Sequence, residues 1–449
     1  MGERSRDAAR TGGRRRWHRR DVLGTVGLAT AIGLAGCSSS EGPDSESTGE
    51  QAADTDTGSD TTPSESAETS DSRSGATGTR MYRVDAANSG HAPEETGPAA
   101  DPVEKWSHQM ETVMPIQPAV YEGTVHVGPE LDASDGTMQW DGPEYDRSPA
   151  IVDGYRYSVA NTELNAADLD DALNEWNYYF TSDPSTPTVV GDVAYIGYER
   201  GQLYALTTPG EDEEGVQVEG VEVWSFQQPG DPESDLETPP FTTPAVADGT
   251  VYACSGNNLY ALDAATGDEQ WVQEGVAGGM PTVVDGAIYF ATGERIVARS
   301  VTDGTELWES PVGLAGPVAV ANGTLYVAGG ELHAIDVTDG SVTWTTAIPG
   351  PEQEDALPEV PIDEEAPPSL ISSLSVSGVA PVVAGGIIYT ARGGVLSAFN
   401  TNGGLLWSFD TGDDKVQTPA VADGDLYAVA SSDILATDPS GRVIALTEP

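Results

Sequence analysis

Cysteine and lysine are nearly missing: Cys37 and Cys254, Lys105 and Lys415 are all that 449 residues contain of either. Two cysteines cannot build a disulfide framework or a four-cysteine metal site. Cys254 lies in the strand-like run Val-Tyr-Ala-Cys-Ser and reads as a small packed hydrophobe without chemistry. Positive charge is scarce altogether, with 20 bases against 73 acids and a formal net charge of −53. Such a surface repels phosphate backbones and anionic headgroups, which excludes nucleic acid and direct adsorption on lipid. Self-repulsion on this scale keeps halophile proteins soluble, and with lysine so sparse the composition predicts a halophilic archaeal source.

No apolar run is long enough to span a bilayer. The longest, Val22 to Ala35, follows the basic stretch Arg14-Arg15-Arg16-Trp-His-Arg19-Arg20 and ends in Leu34-Ala35-Gly36-Cys37. A charged start, a short apolar core and small residues before a cleavage point describe a signal peptide over residues 1–36. The Arg19-Arg20 pair resembles a twin-arginine export signal, and the Leu-Ala-Gly-Cys box resembles a lipobox, which implies cleavage before a lipidated Cys37. The predicted location is therefore the outer face of the cytoplasmic membrane. Residues 37–80 are rich in Ser, Thr, Asp, Glu and Gly and poor in large apolar side chains, the composition of a disordered tether. Cleavage removes eight arginines and three acids, leaving 12 bases against 70 acids, or −58.

From residue 118 onward one pattern returns: a Pro, a few small or β-branched residues, an acidic-Gly turn, and an aromatic eight or nine residues after the Pro. It begins at Pro118, Pro149, Pro187, Pro244, Pro281, Pro317, Pro381 and Pro419. Pro opens a strand because it cannot donate to a ladder, and Asp-Gly or Asn-Gly supplies the positive φ of a two-residue hairpin. A third strand such as Leu259-Tyr-Ala-Leu follows most copies, then a fourth carrying Trp140, Trp176, Trp224, Trp271, Trp308, Trp344 or Trp407. The last copy has no following tryptophan, whereas Trp106 precedes the first. The pattern predicts an all-β, eight-bladed propeller of four-stranded antiparallel blades, spanning residues 81–449. The strand around Trp106 completes the final blade and closes the ring.

The unit running from Pro244-Ala-Val-Ala-Asp-Gly through Leu-Tyr-Ala-Leu-Asp-Ala-Ala-Thr-Gly to Trp271 resembles the pyrroloquinoline-quinone (PQQ)-like propeller repeat. That resemblance implies that the tryptophans Trp106, Trp140, Trp176, Trp224, Trp271, Trp308, Trp344 and Trp407 dock one blade on the next. The segment Met81-Tyr-Arg-Val-Asp-Ala-Ala-Asn-Ser-Gly-His-Ala-Pro93 is similar to the opening sequence of many such proteins. One branch of the family comprises quinoprotein dehydrogenases, with PQQ and calcium on the ring axis and often a vicinal cysteine pair. This sequence has no adjacent cysteines and no recognisable insert bearing a catalytic aspartate with calcium ligands. The other branch comprises lipoproteins without catalysis, resembling the propeller subunit of outer-membrane protein assembly. The lipobox and short blades fit that branch.

Individual residues add little chemistry. His91, His108, His126 and His333 share no ligand spacing, and His126 and His333 stand where other blades carry Tyr, so packing is the better reading and no metal is predicted. No Gly-x-Ser-x-Gly elbow and no EF-hand loop occurs. Of the ten arginines beyond the leader, Arg200, Arg295 and Arg392 fall at equivalent turns between second and third strands. Those turns share a face with the blade-to-blade connections, including the Pro- and acid-rich insertions 227–243 and 345–380. The face is a candidate surface for a protein partner, extracellular material or an anionic ligand. The competing reading pairs Arg200 with Glu199 and Arg295 with Glu294 as ordinary surface ion pairs. The sequence thus favours a membrane-tethered binding or scaffolding module without cofactor, with a PQQ-dependent or degenerate oxidoreductase as the alternative.

Overall fold

The computed structural model describes residues 78–449 except 111–115, 144, 161, 171–174, 212–216, 219, 230–237, 277, 314–315, 351–378 and 433–439. The leader, Arg19, Arg20, Cys37 and nearly all of the expected tether lie outside the described residues.

Eight antiparallel sheets stand around an axis, each with strands a to d counted outward. Blade 1 consists of Ala119–Tyr121, Thr124–His126, Glu130–Asp132 and Met138–Trp140, and blade 2 of Ala150–Val152, Tyr155–Ala160, Glu163–Asp168 and Glu175–Tyr179. Blade 3 comprises Thr188–Val190, Val193–Tyr198, Gln202–Thr207 and Glu222–Gln227, with a small hairpin of Gly210–Glu211 and Gln217–Val218 before its last strand. Blades 4 to 6 are Ala245–Ala247 to Glu269–Glu274, Thr282–Val284 to Glu306–Ser310, and Ala319–Ala321 to Val342–Ala347. Blade 7 runs from Val382–Ala384 to Leu405–Asp410 and carries His91–Ala92 as a parallel fifth strand on its inner edge.

Blade 8 is composite. Ala420–Ala422, Asp425–Ser431 and Gly441–Thr447 come from the C-terminus, and its outer strand is Val103–Met110, from the other end of the chain. Trp106 in that strand meets Tyr427 of strand b at 6.0 Å and 44°. Tyr195 and Trp224 of blade 3 meet at 5.9 Å and 46°, and Tyr289 and Trp308 of blade 5 at 5.8 Å and 41°. The borrowed strand therefore fills its blade as native strands fill theirs, and the ring closes as the sequence predicts.

Local chemistry sets each blade. The a–b turns hold Asp153 (φ 51), Asp248 (φ 48), Asp285 (φ 50), Asn322 (φ 51) and Asp423 (φ 52), each followed by a glycine with positive φ, as a two-residue hairpin requires. Strands b are covered on both faces, so Thr250–Ser255 is buried throughout. Strands d face water and bury chiefly their tryptophan, as the pattern of Glu222–Gln227 shows. A β-bulge opposes the residue before the tryptophan in blade 4, between Ala261 and Leu262, and recurs in blades 5, 6 and 7. Bulges sharpen local twist, and these splay Leu307 and Leu406 to solvent while the indole stays buried.

Candidate functional site

The face formed by b–c turns and d–a connections carries the three candidate arginines. Arg200 sits in a 3-10 turn, Glu199–Gly201, with φ 59, exposed, its carbonyl accepting from Gln227 Nε2 at 2.7 Å. Arg295 is half-exposed and pairs with Glu309 across its own blade at 2.5 Å, rather than with the sequence neighbour Glu294. Arg392 donates Nη1 to the carbonyl of Ile348 at 3.3 Å, at the foot of the 345–380 insertion. They occupy blades 3, 5 and 7, on three separate turns. A shallow cavity of about 280 Å³ lies beside Arg295, lined by Glu294, Glu309, Ser310 and Pro311. Residues 230–237 and 351–378, the middles of both insertions, lie outside the described residues.

The tryptophans sit at the seams. Nε1 of Trp106, Trp224, Trp271, Trp308 and Trp344 donates to Ala133, Ala264, Val301, Val337 and Thr401 of the next blade, at 2.7–3.1 Å. Each of these indoles lies on a c–d turn glycine of that blade. A Cβ on Gly267 would come within 2.6 Å of Trp224, and one on Gly340 within 2.6 Å of Trp308. Trp407 instead donates to the carbonyl of Pro98, at 2.8 Å. Trp176 rests against Gly220, and its buried Nε1 has no partner among the described residues.

Trp140 departs furthest. Its ring stacks under the Arg156 guanidinium of blade 2, 4.6 Å from the centroid. Arg156 is buried and ion-paired with Glu130 of blade 1. His126, standing where other blades place Tyr, is buried with Nδ1 3.5 Å from Glu130, too long for a hydrogen bond. Burial pushes the His126 imidazole below its ordinary pKa, against the pull of Glu130. Burial raises the Glu130 carboxyl, but His126 and Arg156 together bring it below the usual range. His91 is only part-buried, and His333 contacts Thr345 Oγ1 at 3.0 Å. Cys254 is fully buried, its thiol pushed up to about 12.

The ring axis holds what sequence reasoning missed. Residues 79–96 run once around its interior, and their carbonyls accept an amide from one inner strand after another. Val120 bonds Thr79 at 2.8 Å, Ile151 bonds Arg80 at 2.7 Å, and Val246 and Val283 bond Ala86 and Ala87 at 2.7 and 2.9 Å. Val320 and Val383 bond Ser89 and Gly90, both at 2.8 Å. In blade 8 the Val421 amide bonds Thr79 Oγ1 at 3.1 Å. The Arg83 side chain is fully buried and crosses the axis to the carbonyls of Val318 and Pro381, while Asn88 Nδ2 reaches Pro244 and Pro281 at 3.1 and 3.0 Å. Burial pushes the Arg83 guanidinium down to about 10. Asp85 accepts from the amide and hydroxyl of Ser89, and burial raises its carboxyl. The available signal was the repeat's own Pro: it removes one axial donor per blade, and the next axial amide still needs an acceptor.

These residues do not fit PQQ and calcium. A guanidinium stands where a metal ion would need oxygen donors, and the carboxylate of Asp85 is already engaged by Ser89. The guanidinium is also packed tightly, since a Cβ on Gly90 would lie 2.3 Å from Arg83 Nη2. Among the described residues no three His, Cys, Asp or Glu side chains assemble as a metal site, and no helix is long and apolar enough to cross a membrane.

Residues 76–310 and 292–447 match the family model described as outer membrane protein assembly factor BamB. No curated protein sequence matches significantly. The fold is similar to BamB from Moraxella catarrhalis, at 16% identity and TM-score 0.54, over 77% of this chain and 99% of that one. It is also similar to the quinohemoprotein alcohol dehydrogenase from Comamonas testosteroni, at 15% identity and TM-score 0.60, covering 82% and 80%. A europium-containing methanol dehydrogenase aligns at 12% identity and TM-score 0.63, covering 83% and 98%. At such identities the likeness is one of fold.

Proposed function

The chain belongs to the family described as outer membrane protein assembly factor BamB, and from that footing we propose that it is a non-catalytic, membrane-tethered propeller that binds a protein partner through the face bearing Arg200, Arg295 and Arg392. The observation that carries this reading is the contrast between a closed axis and an open face. Arg83 and Asn88 fill the axis, whereas on the face of the b–c turns Arg200 is exposed and Arg295 half-exposed. The family description names an assembly factor, and a scaffold for other exported proteins is the corresponding role here. The alternative expectation, a PQQ-dependent oxidoreductase, is supported by fold likeness alone and is opposed by the chemistry of the axis.

The anchor reading completes the proposal: residues 1–36 direct export through Arg19 and Arg20, Cys37 carries lipid, and residues 37–80 hold the ring off the membrane. The composition adds a high-salt setting. Replacing Arg200, Arg295 and Arg392 together by Gln, followed by crosslinking on whole cells, tests the face. Loss of the wild-type adducts is expected, and an unchanged adduct pattern overturns the reading. Cys37→Ser is expected to release the propeller into the medium, and retention in the membrane fraction refutes the anchor.

A further inference from the structure

The inner edge of a propeller is a ring of unpaired strand edges, each presenting backbone donors and acceptors to the axis. Such groups must be satisfied by water, by a ligand or by the protein. In this chain the residue immediately before the inner strand is Pro in blades 1, 2, 3, 4, 5, 7 and 8, so one donor in each of these blades is deleted and a carbonyl remains. Those carbonyls form a collar of partial negative charge. Pro244, Pro281, Val318 and Pro381 point theirs at Asn88 and Arg83. Pro419 points its own at Gln117 Nε2, 2.9 Å away, and Gln117 Oε1 in turn accepts from the Arg83 amide at 3.0 Å. The amides of Val120, Ile151, Val246, Val283, Val320 and Val383 go to carbonyls of residues 79–90, and that of Val421 to Thr79 Oγ1.

We infer that residues 79–96 are an intramolecular ligand of the ring axis, with Arg83 as the cation that the carbonyl collar binds. This goes beyond a partner-binding face, because it assigns the axis a resident occupant and confines external ligands to the rims. Three features argue for a fitted ligand over a passive arm. The segment bonds the inner strands of blades 1, 2, 4, 5, 6, 7 and 8, so its bonds are spread around the circumference. Its backbone turns left-handed at Arg83 (φ 58), Val84 (φ 79) and Asn88 (φ 57), a conformation a β-branched residue adopts only when its surroundings impose it. Gly90 (φ 66) is the third feature: any side chain there would strike the Arg83 guanidinium.

The test uses the full chain and reads hydrogen exchange by mass spectrometry together with calorimetric titration of PQQ and calcium. In the wild type, peptides containing the amides of Val246, Val283, Val320 and Val383 are expected to exchange slowly and as one set, and titration is expected to give no heat. Arg83→Ala should lower the melting temperature and open the peptides around Val318 and Pro381 first. Methylguanidinium, but not potassium chloride at equal ionic strength, should then restore their protection. Gly90→Ala keeps the arginine and displaces it, so it should open the same peptides if the first variant fails to fold. Rapid exchange of the axial amides in the wild type, saturable binding of PQQ with calcium, or wild-type protection in Gly90→Ala each overturns the inference.

Discussion

At the seam between blades 5 and 6, Trp308 stacks beside Tyr289, donates to Val337 and covers Gly340. At the seam between blades 1 and 2, the same position holds Trp140 under a buried arginine, and the tyrosine has become His126 beside Glu130. The first seam is apolar, and the hydrogen bonds across it, from Trp308 Nε1 to Val337 and from Thr282 Oγ1 to Val318, are between neutral groups. The second holds an ion pair, Arg156 with Glu130, beside a buried histidine. Both join neighbouring blades, but they respond to different insults: the first to loss of volume, the second to loss of a partner or of pH.

The largest effect that sharpens this contrast is Trp308→Ala. It removes an indole packed on a turn that cannot collapse around the void, and about 3–5 kcal/mol of stability should go with it. Chemical denaturation at neutral pH measures this. The charged seam breaks next. Arg156→Ala strips Glu130 of its buried cation, and breaking such pairs costs about 3–5 kcal/mol when both ions are fully enclosed. Glu130 is a fifth exposed, so water recovers part of that, and about 2 kcal/mol is expected. A double variant with Glu130→Gln should recover part of this loss, because it removes the orphaned carboxylate; equal losses for the single and double variants would assign the cost to the stacking on Trp140 and not to the pair.

The regular seams were legible in the sequence and the irregular one was not, for a physical reason. A tryptophan at fixed spacing from an Asp-Gly turn reports a geometry repeated in blades 4, 5 and 6, so repetition itself carries the information. Trp106 could be assigned to the last blade because that blade lacked one, and its pairing with Tyr427 follows. His126 and Arg156 are single departures whose meaning lies in contacts across a seam, which spacing along the chain does not encode. The axial segment was hidden differently. Met81 to Pro93 was readable as an opening sequence, but Arg83 looks like any surface arginine until eight inner edges surround it. For Arg295 the neighbour in sequence, Glu294, was the obvious partner, and strand pairing across the blade supplied Glu309 instead.

A smaller effect separates the seams by pH. The His126 imidazole is held neutral by burial, so its folded pKa lies below the unfolded value near 6.5. The unfolded chain therefore binds the extra proton first, and stability falls as pH drops below about 6.5, down to the folded pKa. Glu130 has its own depressed pKa and acts lower, its contribution being lost as pH falls through the folded carboxylate value. Melting curves of the wild type and His126→Phe between neutral and mildly acidic pH check this. The variant should be flatter across the histidine window, whereas Trp308→Ala should keep the wild-type slope. Parallel curves for wild type and His126→Phe would remove the charged seam from the acid response.

Arg295→Gln marks the floor of the scale. Its ion pair with Glu309 is short at 2.5 Å, yet both side chains are about half exposed, so water and salt screen the attraction and ordering two long side chains offsets much of it. Stability should change by about 0–0.5 kcal/mol, and even that should fade in molar salt, where the Debye length shrinks to about 3 Å. Against the buried pair at the seam of blades 1 and 2, the same chemistry is then worth several times less because of where it sits. A loss above about 1 kcal/mol for Arg295→Gln in high salt would mean that the exposed face is held as rigidly as the seam, and that its arginine positions the d–a connection instead of remaining free for a partner.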